Sequence, residues 1–185
     1  VVLECGGKDP VIVAADANLE RAVDATIWSA MANAGQSCIG AERVYVDERV
    51  ADKFTELAVE LAKTIHAGAP GDGKYGPATM PSQIKVIQSH IKVAIKDGGS
   101  CAYGGPESVK PPFVQPVILL DVPEDSAAMR EETFGPIIII NRVKTMREAI
   151  DLANASSYGL GANVWSKRQG KRIASELACG MVAIN

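Results

Sequence analysis

Cys38 lies in Asn33-Ala34-Gly35-Gln36-Ser37-Cys38-Ile39-Gly40, between a stretch of helical periodicity and the strand-like run Arg43-Val44-Tyr45-Val46. Cysteines that only pack tend to sit inside apolar runs. Gly, Gln and Ser surround this one, so it reads as a loop thiol placed for nucleophilic chemistry, which needs an accessible and stabilised thiolate. A short helical turn beginning at or just after Cys38 would set the thiol at the positive end of a helix dipole. It would also aim backbone N–H groups at an oxyanion. The plainer alternative is a buried, inert thiol.

Two further clusters carry carboxylates. Glu4 precedes Cys5-Gly6-Gly7-Lys8. Glycines admit close approach of another segment. A carboxylate held partly buried at such a strand end acquires the raised pKa of a general base; otherwise Glu4 is a surface glutamate before a turn. Cys5 points away from Glu4 on an extended chain and reads as packing. Gly6-Gly7-Lys8 lacks the GxxxxGK[ST] spacing of a phosphate loop, and no GxGxxG occurs, so the chain carries no complete nucleotide fingerprint. The third cluster is Glu131-Glu132-Thr133-Phe134-Gly135-Pro136. A carboxylate there can accept hydrogen bonds from sugar hydroxyls, and an exposed Phe can pack against a flat ring. The alternative is a solvated loop anchored by its Phe.

The elements that must position these clusters alternate. Val11 to Val13 is a short β-branched run. Leu19, Ala22, Val23, Ile27, Ala30 and Met31 then recur at helical spacing, with Asp16 or Asn18 as cap and Gly35 as stop. Arg43 to Val46 is a strand, followed by a helix through Val50, Phe54, Leu57, Ala58, Leu61 and Ile65. Gly68 to Gly73 is a loop. Pro81 opens a third helix, closed by Gly98-Gly99. Phe113 to Leu120, Ile137 to Ile140, Ala162 to Trp165 and Met181 to Ile184 are strand candidates. Thr145-Met146-Arg147-Glu148 and Ser166-Lys167-Arg168-Gln169 are capping boxes, the second opening a helix that Gly180 ends. This order predicts an α/β three-layer sandwich, a mostly parallel sheet with helices on both faces. Sites in such sheets gather at the C-terminal ends of the strands.

The 185 residues suit one domain with a full core. With 47% hydrophobic and 22% charged residues the chain is globular. The net charge of −3 and the lack of a basic face beyond Lys167, Arg168, Lys171 and Arg172 argue against a nucleic-acid partner. No apolar run reaches the ~18 residues of a membrane span. Four separated cysteines and two histidines, His66 and His90, argue against a zinc site or disulfide scaffold. They fit a reducing, cytoplasmic setting. The apolar opening without Met suggests a piece of a longer protein.

Taken in order, the clusters around Glu4, Cys38 and Glu132 resemble the three signatures of the aldehyde dehydrogenase superfamily. The resemblance covers essentially the whole chain and extends through Asp16 to Val23, Ala153-Asn154, Tyr158-Gly159-Leu160 and Met181 to Asn185. It implies that residues 1–185 are a catalytic thiol domain, with the cofactor-binding domain and a C-terminal tail outside it. Cys38 then matches the nucleophile and Glu4 the base that activates the hydrolytic water. Glu132 matches the carboxylate on the nicotinamide ribose, Phe134 the ring near the nicotinamide, and Ser37 and Ile39 the lining of the aldehyde pocket. The implied cofactor is NAD or NADP, without metal, and the implied partner is a small-molecule aldehyde, handled by a full-length homo-oligomer, dimer or tetramer. The chain departs from the family in having Cys5 where Leu is common. Two other readings stay open: a CoA-acylating relative, which Glu4 disfavours, and a non-catalytic module that keeps the fold.

Overall fold

The computed structural model of the protein describes residues 1–3 and 5–185. Its seven-stranded sheet contains β1 (Asp9–Val13), β2 (Ala41–Asp47), β3 (Ser100–Tyr103), β6 (Val117–Leu120), β7 (Ile137–Val143), β8 (Gly161–Trp165) and β9 (Met181–Ile184). The spatial order is β3-β6-β7-β2-β1-β8-β9. Every neighbouring pair is parallel except β3 with β6. Strands β4 (Val109–Lys110) and β5 (Phe113–Val114) form a separate small hairpin.

Helices cover both faces. On one side lie α1 (Leu19–Met31) and α2 (Glu48–Lys63). On the other lie α3 (Pro81–Lys96), the one-turn α4 (Ala127–Arg130), α5 (Met146–Asn154) and α6 (Gly170–Ser175). The period-2 geometry of a strand divides its side chains between the layers. Val44, Val46, Ile138 and Ile140 face α1 and α2, while Tyr45, Ile137 and Ile139 face α3 and α5. This is the predicted three-layer sandwich. Among the described residues no helix is long and apolar enough to cross a membrane.

Local chemistry explains several boundaries. Asn18 caps α1 by accepting from Arg21 N at 3.2 Å, whereas Asp16 accepts from Ser166 Oγ and Arg168 N across the sheet edge. Thr145 Oγ1 accepts from Glu148 N, but the return arm of that capping box goes to Lys144 N. Ser166 Oγ likewise takes Gln169 N, while Gln169 Oε1 takes Arg172.

Some expectations need correction. Phe113 to Leu120 is not one strand. Pro116 offers no N–H to a ladder, so the segment divides into β5 and β6. The last helix ends at Ser175, not at Gly180, because the Asn154 side chain donates to Glu176 O and accepts from Ala178 N, turning the chain early. Strand β3, Ser-Cys-Ala-Tyr, carries no β-branched residue, which hid it from the pattern.

Asp9 ties the starts of β1 and β8 together: its Oδ1 accepts from Gly161 N at 3.1 Å. Burial pushes its carboxyl up to about 6. The folded pKa thus exceeds the unfolded value of about 3.9, so the associated stability is present below that value and is lost as pH rises through about 6. Asp9→Asn keeps the acceptor and removes the charge. It is expected to stabilise the protein by about 1–2 kcal/mol near pH 8, after discounting for solvent screening, and by less near pH 5. Denaturant titration of both proteins at the two pH values checks the sign.

Candidate active site

The three clusters lead directly into β1, β2 and β7, which are adjacent and parallel. A segment entering a parallel strand lies at that strand's N-terminal edge, so the topology brings all three to one edge. This corrects the expectation of a site at the C-terminal ends. That opposite edge carries a groove lined by Asp16, Asp47, Arg49 and Arg168, and not by Ser37, Cys38, Ile39, Glu132 or Phe134.

The clusters touch through backbone too close for side chains. A Cβ on Gly7 would stand 2.1 Å from the Cys38 carbonyl oxygen. A Cβ on Gly6 would meet the Glu132 carboxylate at 2.6 Å, and Gly7 N donates to Glu132 Oε1 at 2.8 Å. Gly35, with φ +68°, packs on Gly135, where a Cβ would come within 2.2 Å of the carbonyl. The Gly6-Gly7 segment therefore bridges the thiol loop and the Glu132 loop.

Within this arrangement Cys38, Ser37, Glu132 and Phe134 are half-buried, and Ile39 is 46% exposed. Glu4 lies outside the described residues. Cys5, expected to pack, is exposed, beside Gly6 and the Ser157–Leu160 loop.

The thiol loop begins with a reversal of hand. Asn33, Ala34 and Gly35 take φ of 53°, 59° and 68° in succession. Left-handed backbone costs a non-glycine residue roughly 1–2 kcal/mol, so Asn33 and Ala34 must be held there. Asn33 Nδ2 donates to Gln36 O at 3.0 Å, and Gln36 Nε2 returns a bond to Asn33 O at 2.9 Å. Gln36 Oε1 also accepts from Thr79 N and Thr79 Oγ1, both at 2.8 Å, anchoring the loop to the segment before α3. Gly40 N then donates to Ser37 O at 3.0 Å, closing a reverse turn with Cys38 and Ile39 at its middle.

No helix starts at Cys38, which corrects the helix-dipole expectation. The turn feeds straight into β2, because Ala41 to Val46 are drawn into the centre of the sheet.

Sequence reasoning missed a buried polar cluster behind the Glu132 loop. Lys8, 1% exposed, forms an ion pair with Glu42, 5% exposed, and donates to Thr133 Oγ1 at 3.0 Å. Glu42 accepts from Thr133 N and Phe134 N, each at 2.9 Å. Thr133 Oγ1, already receiving Lys8, has its own proton free for His90 Nδ1 at 3.0 Å. Burial pushes Lys8 below the usual lysine range, against the pull of Glu42. Burial, reinforced by Lys8, lowers His90 as well. Arg43, the next residue along β2, donates to Lys8 O and to the carbonyls that end α5. The available signal was Glu42-Arg43, a charged pair near the start of a strand otherwise built for burial.

A carboxylate, an aromatic ring and a half-buried thiol thus share one sheet edge, held by backbone contacts that tolerate only glycine. Comparison with known proteins agrees over the full length. A sequence model described as the aldehyde dehydrogenase family matches residues 1–185. A succinate-semialdehyde dehydrogenase [NADP(+)] of Deinococcus radiodurans is 39% identical over 100% of this chain and 40% of its own length. A 4,4'-diapolycopene aldehyde oxidase of Methylomonas sp is 38% identical over 100% of this chain and 35% of its own.

Among solved structures, lactaldehyde dehydrogenase from Escherichia coli superposes with a TM-score of 0.93 at 34% identity, over 98% of this chain and 39% of that one. An NADP-dependent glyceraldehyde-3-phosphate dehydrogenase from Bacillus halodurans, complexed with NADP, superposes with a TM-score of 0.93 at 34% identity, over 98% and 38%. The chain therefore spans 35–40% of the length of these relatives. With the motifs in order, their meeting at one edge and this match from first residue to last, the chain belongs to the aldehyde dehydrogenase family.

Proposed function

We propose that residues 1–185 form the catalytic thiol domain of an NAD(P)+-dependent aldehyde dehydrogenase that oxidises an aldehyde to a carboxylic acid through an acylated Cys38. The observation that carries this reading is Gly7, whose backbone rests on the Cys38 carbonyl and donates to Glu132. One short segment thereby joins the nucleophile to the cofactor-facing carboxylate.

The Cys38 thiolate adds to the aldehyde carbon, and the Cys38 backbone N–H is a donor for the resulting oxyanion. Loss of hydride from that carbon to bound NAD(P)+ would leave the acyl group on Cys38 as a thioester. Glu4 takes a proton from the water that releases it. Its place two residues before Gly6-Gly7 in the sequence supports that role. Ser37 and Ile39, on either side of the thiol in the exposed turn, line the aldehyde's approach.

The residues present also fit the nicotinamide end of the cofactor. The Glu132 carboxylate accepts from Gly7 and is itself half-buried, suited to ribose hydroxyls, and Phe134, two residues on, is a half-buried aromatic. When bound, NAD(P)+ supplies the hydride acceptor. The rest of the cofactor is held by parts of the longer protein outside this chain. Four free thiols favour a cytoplasmic location, and exposed Trp28 on α1 offers a surface for a homo-oligomer.

The test uses the intact enzyme. NAD(P)H formation is followed with NAD+ and NADP+ over a panel of small aldehydes that includes lactaldehyde and succinic semialdehyde. Acid quench should trap an acyl group on the Cys38 peptide. Glu4→Gln should keep a single-turnover burst of NAD(P)H while steady-state turnover falls by about 10²-fold or more. Strict dependence on CoA would replace hydrolysis with acyl transfer to CoA. Absence of NAD(P)H formation with every aldehyde would leave a non-catalytic module.

A further inference from the structure

We propose that Glu42 is a positioning residue for the cofactor: it sets the Thr133-Phe134 backbone and thereby fixes how Glu132 and Phe134 face the nicotinamide ribose. The inference rests on the reading of that loop as cofactor-facing and adds a residue that the three signatures do not contain.

The geometry is that of an anion in a backbone concavity. Successive N–H groups that converge on one point bind negative charge. Here Thr133 N and Phe134 N both point at the Glu42 carboxylate, with Oε1 and Oε2 each receiving one at 2.9 Å. Phe134 needs such help because its φ is +49°, a left-handed conformation that a bulky residue rarely adopts. Glu42 is itself fixed, since it lies in the central strand β2 and is buried.

Lys8 supplies the compensating charge and donates to both Glu42 and the Thr133 hydroxyl. Because Lys8 follows Gly7, which donates to Glu132, the loop is held on both sides by one short stretch of chain. The carboxylate is more than a neutraliser of Lys8. Two of its hydrogen bonds go to the loop backbone, and a carboxylate can accept all of them at once while a carboxamide nitrogen cannot.

The experiment compares variants of the intact enzyme. Glu42→Asp keeps the charge beside Lys8 but withdraws the oxygens by one methylene. It is expected to raise KM for NAD(P)+ by about tenfold or more, with KM for aldehyde and the rate of Cys38 alkylation near wild type. The double variant Lys8→Met with Glu42→Gln removes both buried charges. It is expected to regain the thermal stability that Glu42→Gln alone loses, and still to show the raised cofactor KM.

A purely structural pair would give the opposite result, with cofactor KM returning together with stability, and that result overturns the proposal. An unchanged cofactor KM in Glu42→Asp also overturns it. Glu132→Gln separates this failure from failure of the underlying reading. If Glu132→Gln leaves cofactor KM unchanged, the loop does not face the cofactor. If Glu132→Gln raises it and Glu42→Asp does not, only the role of Glu42 is lost.

Discussion

Cys38→Ala in the intact enzyme is expected to lower kcat/KM for aldehyde oxidation by at least about 10⁴-fold, because the covalent step has no substitute nucleophile. The other thiols are badly placed. Cys101 sits on β3 at the far edge of the sheet, and burial pushes its thiol up. Cys179 lies beyond β8, near Asp9, and burial raises it too. Cys5 is exposed beside the Ser157–Leu160 loop, with Gly6 between it and the Gly7 contact with Cys38.

The substitution should leave the fold intact. Only a half-buried sulfur is removed, from a turn closed by Gly40 N and Ser37 O, and the stability change should stay within about 1 kcal/mol. Steady-state assays, circular dichroism and alkylation mass spectrometry on the same preparation check the three parts together. Near wild-type turnover in Cys38→Ala would move the chemistry to another group and remove the basis of the proposed function.

Much of this architecture could be read from residue order, and the exceptions have definite physical causes. The unbroken β-branched run Ile137 to Ile140 fits a strand buried on both faces, and the spacing from Leu19 to Met31 fits one face of a helix, so both elements were legible. The site edge was mistaken for the opposite one, although chain order contains the answer: Gly7, Cys38 and Pro136 all come just before parallel strands and must lie where those strands begin.

Other features depend on contacts distant in sequence. Phe113 to Leu120 looks continuous, yet Pro116 interrupts it and Gln115 bonds to Ala67 instead of a sheet partner. The helical turn expected at Cys38 is absent because helix or turn there depends on Gln36 reaching Thr79, which local propensity does not encode. The Lys8–Glu42–Thr133 cluster joins three separated segments, and no spacing rule links them.

Gly7→Ala is expected to lower kcat/KM by about 10²-fold or more without unfolding the protein, and its cause is wholly steric. Gly7 does not occupy the left-handed region, so an added methyl brings no backbone penalty of its own. The difficulty is space: the new Cβ would lie 2.1 Å from the Cys38 carbonyl oxygen and 2.9 Å from Asp9 Oδ1. Carbon and carbonyl oxygen approach no closer than about 3.3 Å, so the two backbones must separate by roughly 1 Å. The Cys38 carbonyl is backbone and cannot swing aside, and the Asp9 carboxylate, though a side-chain end, is held by Gly161 N. The Cys38 turn is pinned by Gln36 on one flank and β2 on the other, and Gly7 leads directly into β1 through Lys8. The displacement therefore falls on the reacting geometry, where misplacement of about 1 Å costs about 10²-fold. It also pulls Gly7 N away from Glu132, so KM for NAD(P)+ should rise along with the loss in kcat. Gly76→Ala is the matched control, since a Cβ there meets nothing within 4 Å. It should leave activity and stability unchanged. Equal activity in the two variants would mean that the Gly7 segment does not hold Cys38 in position, and the bridge between thiol and carboxylate would lose its catalytic meaning.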